Sequence, residues 1–161
     1  IDRLARDHNV TMLAVQIVGL EHIVVVGTAQ GGANFQLSAQ IGSRFPALIS
    51  ATGRCIAAYG GYSSAELQRR FDLLRWDNPP AYSEWLEQVA QTRSQGFATD
   101  AGNYIAGVSV IAAAVLKGAR RPVHALVAFG ISGAIERAGM QKIGEDLSAA
   151  ARSVSERLYA D

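Results

Sequence analysis

Residues 108–115 form an apolar run without a charged side chain, and a second apolar run at 123–130 follows a loop rich in glycine, arginine and proline. Runs of Val, Ile and small residues of this length are typical of strands that are buried on both faces. The intervening loop predicts that the two strands pair antiparallel, as a hairpin. We therefore predict that these strands form the centre of one sheet.

Four further segments also have the pattern of strands. Residues 11–18 and 23–29 are rich in β-branched side chains, and the four residues between them suit a tight connection, which predicts a second hairpin. In residues 35–41 apolar side chains alternate with polar ones, as in a half-buried strand: Phe35, Leu37, Ala39 and Ile41. A short strand is expected directly after Gly96, so the sheet is predicted to have about six strands.

Three helices are predicted between the two groups of strands. Residues 48–59 have a helical composition apart from Gly53, whose presence indicates a close approach by a packing partner or a ligand. Ser63 and Glu66 form a capping box that begins a second helix, expected to run through Leu67, Phe71 and Leu74. A third helix has an apolar stripe, is capped at Ser83 and stops at Gly96.

Helices are also predicted at both ends of the chain. Residues 1–9 have the pattern of the end of a linker helix, and residues 134–158 form one long amphipathic helix that should lie across the sheet. Helices segregated from antiparallel strands favour an α+β fold over a doubly wound parallel sheet. The length predicts a single domain, residues 1–161.

Charge and cysteine content narrow the function classes. The net charge is +1, from 15 basic and 14 acidic residues, so nucleic-acid binding by this chain alone is not expected. The single cysteine removes any disulfide framework and fits a reducing compartment, so a cytoplasmic location is expected. No apolar run approaches the roughly 18 residues of a membrane-spanning helix, and no membrane partner is expected.

Candidate catalytic and metal-binding groups are sparse. Cys55 lies in the apolar run GRCIAAY, which favours a buried packing thiol over a nucleophile. His8, His22 and His124 are far apart and lack the neighbours of a metal site, so neither a metal nor a cofactor is predicted. An enzyme that uses either Cys55 or Asp100 together with His124 is the less favoured alternative.

A mixture of apolar strand residues and a few polar groups is compatible with a small-molecule pocket. Apolar walls supply affinity, and one or two hydrogen-bonding groups fix the orientation of the ligand. The same mixture is found in any protein core, and periodicity alone favours core packing. The residues concerned include Leu37, Thr52, Asp100, Val108, Val110, Val127 and Phe129.

Two motifs resemble a known family. The segment GSRFPALISATGRCIAA resembles a G-x-x-x-P turn followed by an S-x-x-G-K/R helix, and QGFATDAGNYIAGVSVIAAAV resembles a Q-G-Y/F, D, G-V-x-x-I/L-A-A signature. Both patterns are typical of the effector-binding domain of IclR-type bacterial transcriptional regulators. The two motifs stand in the right order, and the likeness spans nearly the whole chain.

The resemblance implies a GAF-like fold, a role in ligand sensing and a homodimeric or homotetrameric assembly. It also implies an N-terminal winged helix-turn-helix domain that reads DNA, and that domain is absent from this chain. The implied ligand is a small organic effector, often a carboxylic or aromatic acid, held between the sheet and the helix at the S-x-x-G motif. Carried onto this sequence, its contacts are Leu37, Ala51, Thr52, Asp100, Val108, Val110, Val127 and Phe129.

Departures from the family pattern suggest an effector with a larger apolar body. Polar or thiol-bearing positions of some members are Val110, Val127 and Phe129 here, so an aromatic acid is expected rather than a two- or three-carbon acid. Thr52 or Arg54 near a helix N-terminus would favour an anionic ligand. The alternative outside ligand sensing is a purely structural dimerisation module with a filled core.

Overall fold

One antiparallel sheet organises the chain. The computed structural model describes residues 1–32, 36–118 and 121–159. Within them the sheet has six strands in the order β3-β2-β1-β6-β5-β4, and every neighbouring pair is antiparallel. The strands are β1 Thr11–Val18, β2 His22–Ala29, β3 Arg44–Pro46, β4 Ala98–Ala101, β5 Val108–Leu116 and β6 Pro122–Ile131.

Helices cover both faces of this sheet. The helices are α1 Asp2–His8, α2 Ser50–Tyr59, α3 Ser64–Phe71, α4 Tyr82–Gln95, α5 Ser132–Ala138 and α6 Met140–Tyr159. One core contains side chains of α2 to α4, and the other contains side chains of α1, α5 and α6. None of the helices in the described ranges has the length and apolar character that crossing a bilayer requires. The predicted α+β class is confirmed.

The hairpin of β5 and β6 lies inside the sheet, as predicted. Val110 pairs with Phe129 and Ala112 with Val127, and these side chains face α2. The alternate residues, such as Ile111 opposite Ala128, belong to the core beneath α6. Since helices cover both faces, the strands carry apolar side chains at consecutive positions, which explains their unbroken apolar runs.

The predicted strand at 35–41 is wrong for the residues that the structure describes. Residues 36–40 have no regular secondary structure, whereas Phe35 lies outside the described residues. The edge of β2 pairs instead with β3, and the backbone N–H of Val25 donates to the carbonyl of Ser43. Alternating apolar and polar residues indicate only that one side of a segment is buried. A strand also needs a sheet edge to pair with, and residues 44–46 occupy the edge of β2 here.

The predicted terminal helix is two helices rather than one. α5 and α6 are separated by Gly139, whose φ of 94° is incompatible with a continuous right-handed helix. Three other helix ends also differ from prediction: α2 begins at Ser50 rather than at residue 48, Ala81 rather than Ser83 precedes α4, and α3 ends at Phe71 rather than Leu74. The capping box of Ser63 and Glu66 is confirmed.

Gly53 allows the start of α2 to pack against the turn that precedes it. A Cβ at Gly53 would lie 2.0 Å from the carbonyl oxygen of Leu48, so no side chain fits there. Ser50 makes this sharp entry possible by adopting a left-handed conformation with φ 57°. The close approach expected at Gly53 therefore comes from the backbone of the chain itself.

The N-terminal helix is attached to α6 by a polar contact as well as by apolar packing. His8 Nε2 lies 2.8 Å from Asp146 Oδ2, and Lys142 Nζ lies 3.2 Å from Asp146 Oδ1. Burial raises the pKa of Asp146, but the hydrogen bonds from His8 and Lys142 outweigh this effect and lower the pKa below its ordinary value. Leu4 and Ala5 of α1 pack into the same core as α6.

Asp146→Asn should lower the free energy of unfolding by about 1 kcal/mol or less at neutral pH, because the contact is partly exposed. A lowered carboxyl pKa stabilises the fold above the unfolded-state pKa, and this stabilisation disappears as the pH falls through the folded-state pKa. Urea titrations should therefore separate the two proteins at pH 7 and bring them together in acid. Glu145→Gln, on the same helix, is the control, and an equal loss at every pH would contradict the prediction.

Candidate functional site

An apolar cavity of about 230 Å³ lies between the start of α2 and the sheet. The face of the sheet toward α2 forms its floor, and α2 with the turn before it forms one wall. The segment at 38–39 and the loop at 104–105 complete the enclosure. Its lining residues are Leu13, Val15, Ile23, Ser38, Ala39, Phe45, Ile49, Ser50, Thr52, Tyr104, Ile105, Val108, Val110, Val127 and Phe129.

The structure brings five of the eight predicted site residues together around this cavity: Thr52, Val108, Val110, Val127 and Phe129. The interior beside Phe129 is therefore not completely filled, contrary to the expectation of the scaffold alternative. The other three predicted residues, Leu37, Ala51 and Asp100, do not line the cavity. Ala51 is buried in the core beneath α2, and the carbonyl of Leu37 accepts a hydrogen bond of 2.6 Å from the Thr11 hydroxyl.

Asp100 is occupied by other partners. Its carboxylate accepts hydrogen bonds from the backbone N–H groups of Asn103 at 2.7 Å and Tyr104 at 3.2 Å. Its Oδ2 also lies 3.9 Å from Nη1 of Arg54, and both side chains are almost completely buried. A buried carboxylate needs such hydrogen bonds and a nearby cation. Asp100 thus positions the loop that carries Tyr104, and Arg54 faces Asp100 rather than the apolar cavity.

The N-terminus of α2 supplies polar groups to the cavity. The first backbone N–H groups of any α-helix have no intrahelical acceptor, and Ile49, which precedes α2, provides no side-chain cap for them. The Ser50 hydroxyl is buried and has no hydrogen-bond partner among the described residues. Unpaired N–H donors and the positive end of the helix dipole favour an anionic group at this place. The arrangement can bind a compound with an apolar body and a carboxylate.

The mouth of the cavity is formed by the loop after β4. Ile105 is 46% exposed, and its neighbour Tyr104 is partly buried. Hydrogen bonds fix this loop to the segment before α4: the backbone N–H of Asp77 donates to the Tyr104 carbonyl, and the N–H of Ala106 donates to the Asp77 carboxylate. The position of the loop at the mouth therefore depends on its hydrogen bonds to the segment before α4.

Cys55 and His124 do not form a catalytic pair. Cys55 is fully buried beneath α2, and burial raises the pKa of its thiol to about 12, so the thiolate is scarce near neutral pH. Ala125 belongs to the same core as Cys55. His124 directly precedes Ala125 in β6, and successive residues of a strand point to opposite faces, so His124 lies on the other face of the sheet. In the described part of the chain, no cluster of three His, Cys, Asp or Glu side chains is placed to hold a metal ion.

Sequence reasoning missed Ser50 and Tyr104. Ser50 is the serine of the S-x-x-G motif, so the motif itself contained the signal. Tyr104 had no comparable signal, because its position depends on hydrogen bonds between the loop after β4 and residues far away in the sequence.

Comparison with known proteins decides the family. Residues 1–156 match the model of the family described as bacterial transcriptional regulator IclR, C-terminal. The chain belongs to this family. A search of curated proteins with the sequence of this chain found no significant match.

Solved structures resemble the IclR-type domain over nearly its whole length. An IclR transcriptional regulator from Alicyclobacillus acidocaldarius has a TM-score of 0.78 at 21% identity, over 96% of this chain and 63% of that chain. The repressor BlcR of Agobacterium tumefaciens has a TM-score of 0.78 at 22% identity, over 99% of this chain and 62% of that chain. The domain thus spans less than two thirds of these regulators, and its fold is GAF-like, as the resemblance implied.

Proposed function

We propose that this IclR-type domain senses a small organic acid with an apolar body, such as an aromatic acid. The observation that carries the proposal is the apolar cavity, which the uncapped start of α2 borders and which Ser50 and Thr52 line. The apolar body of the acid would lie against Val110, Val127 and Phe129. Its carboxylate would accept hydrogen bonds from Ser50, from Thr52 and from the first N–H groups of α2.

The positions of the helices support a regulatory role. The acid would bind where α2, the sheet and the loop after β4 meet, and α1 packs on the opposite face of the same sheet. Effector binding would favour one arrangement of these elements, which requires different affinity for two states of the protein. We propose that this bias changes DNA binding by an N-terminal domain of the full regulator, and that the domain assembles as a homodimer or homotetramer.

Calorimetric titration and thermal denaturation with benzoate, phenylacetate and pyruvate test the chemistry of the effector. The aromatic acids should raise the melting temperature more than pyruvate does at equal concentration, because only they fill the apolar part of the cavity. Benzyl alcohol, which lacks the carboxylate, should bind more weakly than benzoate. Stabilisation by pyruvate alone would contradict the proposed class of effector.

Ser50→Ala and Thr52→Val should each weaken binding of the aromatic acid by about tenfold, the value of one hydrogen bond to a charged group. Ser50→Ala should leave the melting temperature of the free domain nearly unchanged, because the hydroxyl has no hydrogen-bond partner in the described part of the chain. Thr28→Val, at an exposed position of β2 away from the cavity, is the matched control. Unchanged affinity in both cavity variants would place the effector elsewhere.

A further inference from the structure

The floor of the apolar cavity crosses the sheet instead of following one strand. Side chains of four strands contribute to it, and these strands are neighbours in the order β2-β1-β6-β5. Neighbouring strands lie about 4.8 Å apart, so the floor extends over about 14 Å from β5 to β2. One aromatic ring is therefore too short to contact both ends of the cavity at once.

The two ends of the cavity differ in burial. Val108 and Val110, at the β5 end, are half-buried, and Ile105 at the mouth is 46% exposed. Val15 and Ile23, toward the β2 end, are buried. The cavity therefore opens beside β5, and its inner end lies beside β2.

We call the part of the cavity over β1 and β2 the inner arm. Its lining residues are Leu13, Val15, Ile23, Ser38, Ala39 and Phe45. Ser38 is the one polar residue of this set, and none of the six carries a charge. A ligand group in the inner arm would therefore gain free energy from the burial of apolar surface, and a carboxylate there would lack a cationic partner.

The pairing of β1 with β6 makes the inner arm continuous with the rest of the cavity. Leu13 is the partner of Val127, against which the apolar body of the acid is proposed to lie. Leu13 and Val15 are alternate residues of β1, so both side chains face the same side of the sheet. An apolar chain that begins beside Val127 can thus continue over β1 to Ile23 without leaving apolar surface.

The start of α2 leaves the inner arm available to such a chain. α2 packs chiefly against β4, β5 and β6, whereas the inner arm lies over β1 and β2. A carboxylate that accepts hydrogen bonds from Ser50, Thr52 and the first N–H groups of α2 would not occupy the inner arm. One end of the ligand would then be polar, and the other end would be entirely apolar.

We propose that the acid sensed at this site carries a linear alkyl chain, as a medium-chain fatty acid does, and that this chain occupies the inner arm. This proposal rests on the proposed function and specifies the class of the acid. The carboxylate would bind at the start of α2, and the chain would pass Val127 and Val15 to reach Ile23. A linear chain follows this path because it can bend, and each further CH₂ group removes more apolar surface from water.

Calorimetric titration with butanoate, hexanoate, octanoate and decanoate, each below its critical micelle concentration, tests the proposal. Each added pair of CH₂ groups should strengthen binding by about tenfold until the inner arm is filled. Octanoate should bind more tightly than benzoate, with one molecule bound per chain. Octanol, which lacks the carboxylate, should bind about tenfold more weakly than octanoate.

Ala39→Phe should shorten the inner arm, because its ring would enter the space that the end of the chain occupies. We expect binding of octanoate and decanoate to weaken by about tenfold or more, and binding of butanoate and benzoate to stay the same. Ala149→Phe is the matched control, at an exposed position of α6 on the other face of the sheet, and it should keep the whole series unchanged.

Methyl NMR signals of the unaltered protein locate the chain without any substitution. Octanoate should shift the signals of Val15 and Ile23, whereas benzoate should shift those of Val110 and Val127 and leave that of Ile23 in place. This measurement remains decisive if Ala39→Phe does not fold.

The results distinguish this proposal from the proposed function. If benzoate binds but affinity does not increase with chain length, or if octanoate leaves the Ile23 signal in place, the alkyl chain is wrong and the aromatic acid site stands. Full affinity of folded Ala39→Phe for decanoate would also exclude the inner arm. If neither benzoate nor any of the linear acids binds, the proposed function fails as well.

Discussion

Val110→Arg is expected to weaken binding of an aromatic acid such as benzoate by about a hundredfold or more. Val110 lies on β5 opposite Phe129, and both side chains line the apolar cavity. An arginine at this position would occupy the part of the cavity in which the apolar body of the acid is proposed to lie. The guanidinium would have to remain hydrated, so the ligand could not displace its water without a large cost in free energy.

Val26→Arg is the matched control for this variant. Val26 is 44% exposed on β2 and does not line the cavity, so the same change should leave the affinity as it is. Val110→Arg is expected to fold, because Val110 is only partly buried. Circular dichroism and the melting temperature test this. A folded variant that still binds benzoate with full affinity would exclude this cavity as the effector site.

Gly53→Ala should destabilise the domain by about 3 kcal/mol or more, a large fraction of the stability of a small protein. The added methyl group would lie 2.0 Å from the Leu48 carbonyl oxygen, and backbone atoms cannot move aside as a flexible side chain can. The turn that holds Ser50 would have to shift. Urea or thermal denaturation measures the loss directly.

Gly133→Ala provides the comparison within a helix. The nearest group to the new methyl would be the end of the Arg137 side chain, at 3.4 Å, and this side chain can move. Alanine is also the better helix former, so this variant should be as stable as the original protein or slightly more stable. Equal stability of both alanine variants would show that the turn at Leu48 adapts easily.

Local patterns predicted the parts of the fold that depend on burial and on helix ends. The unbroken apolar runs of β5 and β6 required cover on both faces, and the structure provides it. The alternation at 35–41 was misleading, because it does not show which segment pairs with the edge of β2, and residues 44–46 are the ones that do. The break at Gly139 was missed because the apolar spacing continues across it into α6.

The candidate site was predictable where the sheet determines it. Val108, Val110, Val127 and Phe129 line the cavity because alternate residues of two paired strands face the same way. Asp100 was not placed correctly, because its partner Arg54 is 46 positions away in the sequence and on another element. A charged residue inside an apolar helix does signal a buried partner, although the sequence does not identify it.

The start of α2 has a consequence for how occupancy of the apolar cavity would reach the rim of that cavity. Thr52 lines the cavity, Arg54 lies beside Asp100, and Gly53 between them is packed against the Leu48 backbone, so the three residues are expected to move as one unit. Asp100 in turn accepts a hydrogen bond from the backbone N–H of Tyr104 at the rim. A compound that displaces Thr52 would therefore also displace Tyr104, so that the wall and the rim would change conformation together.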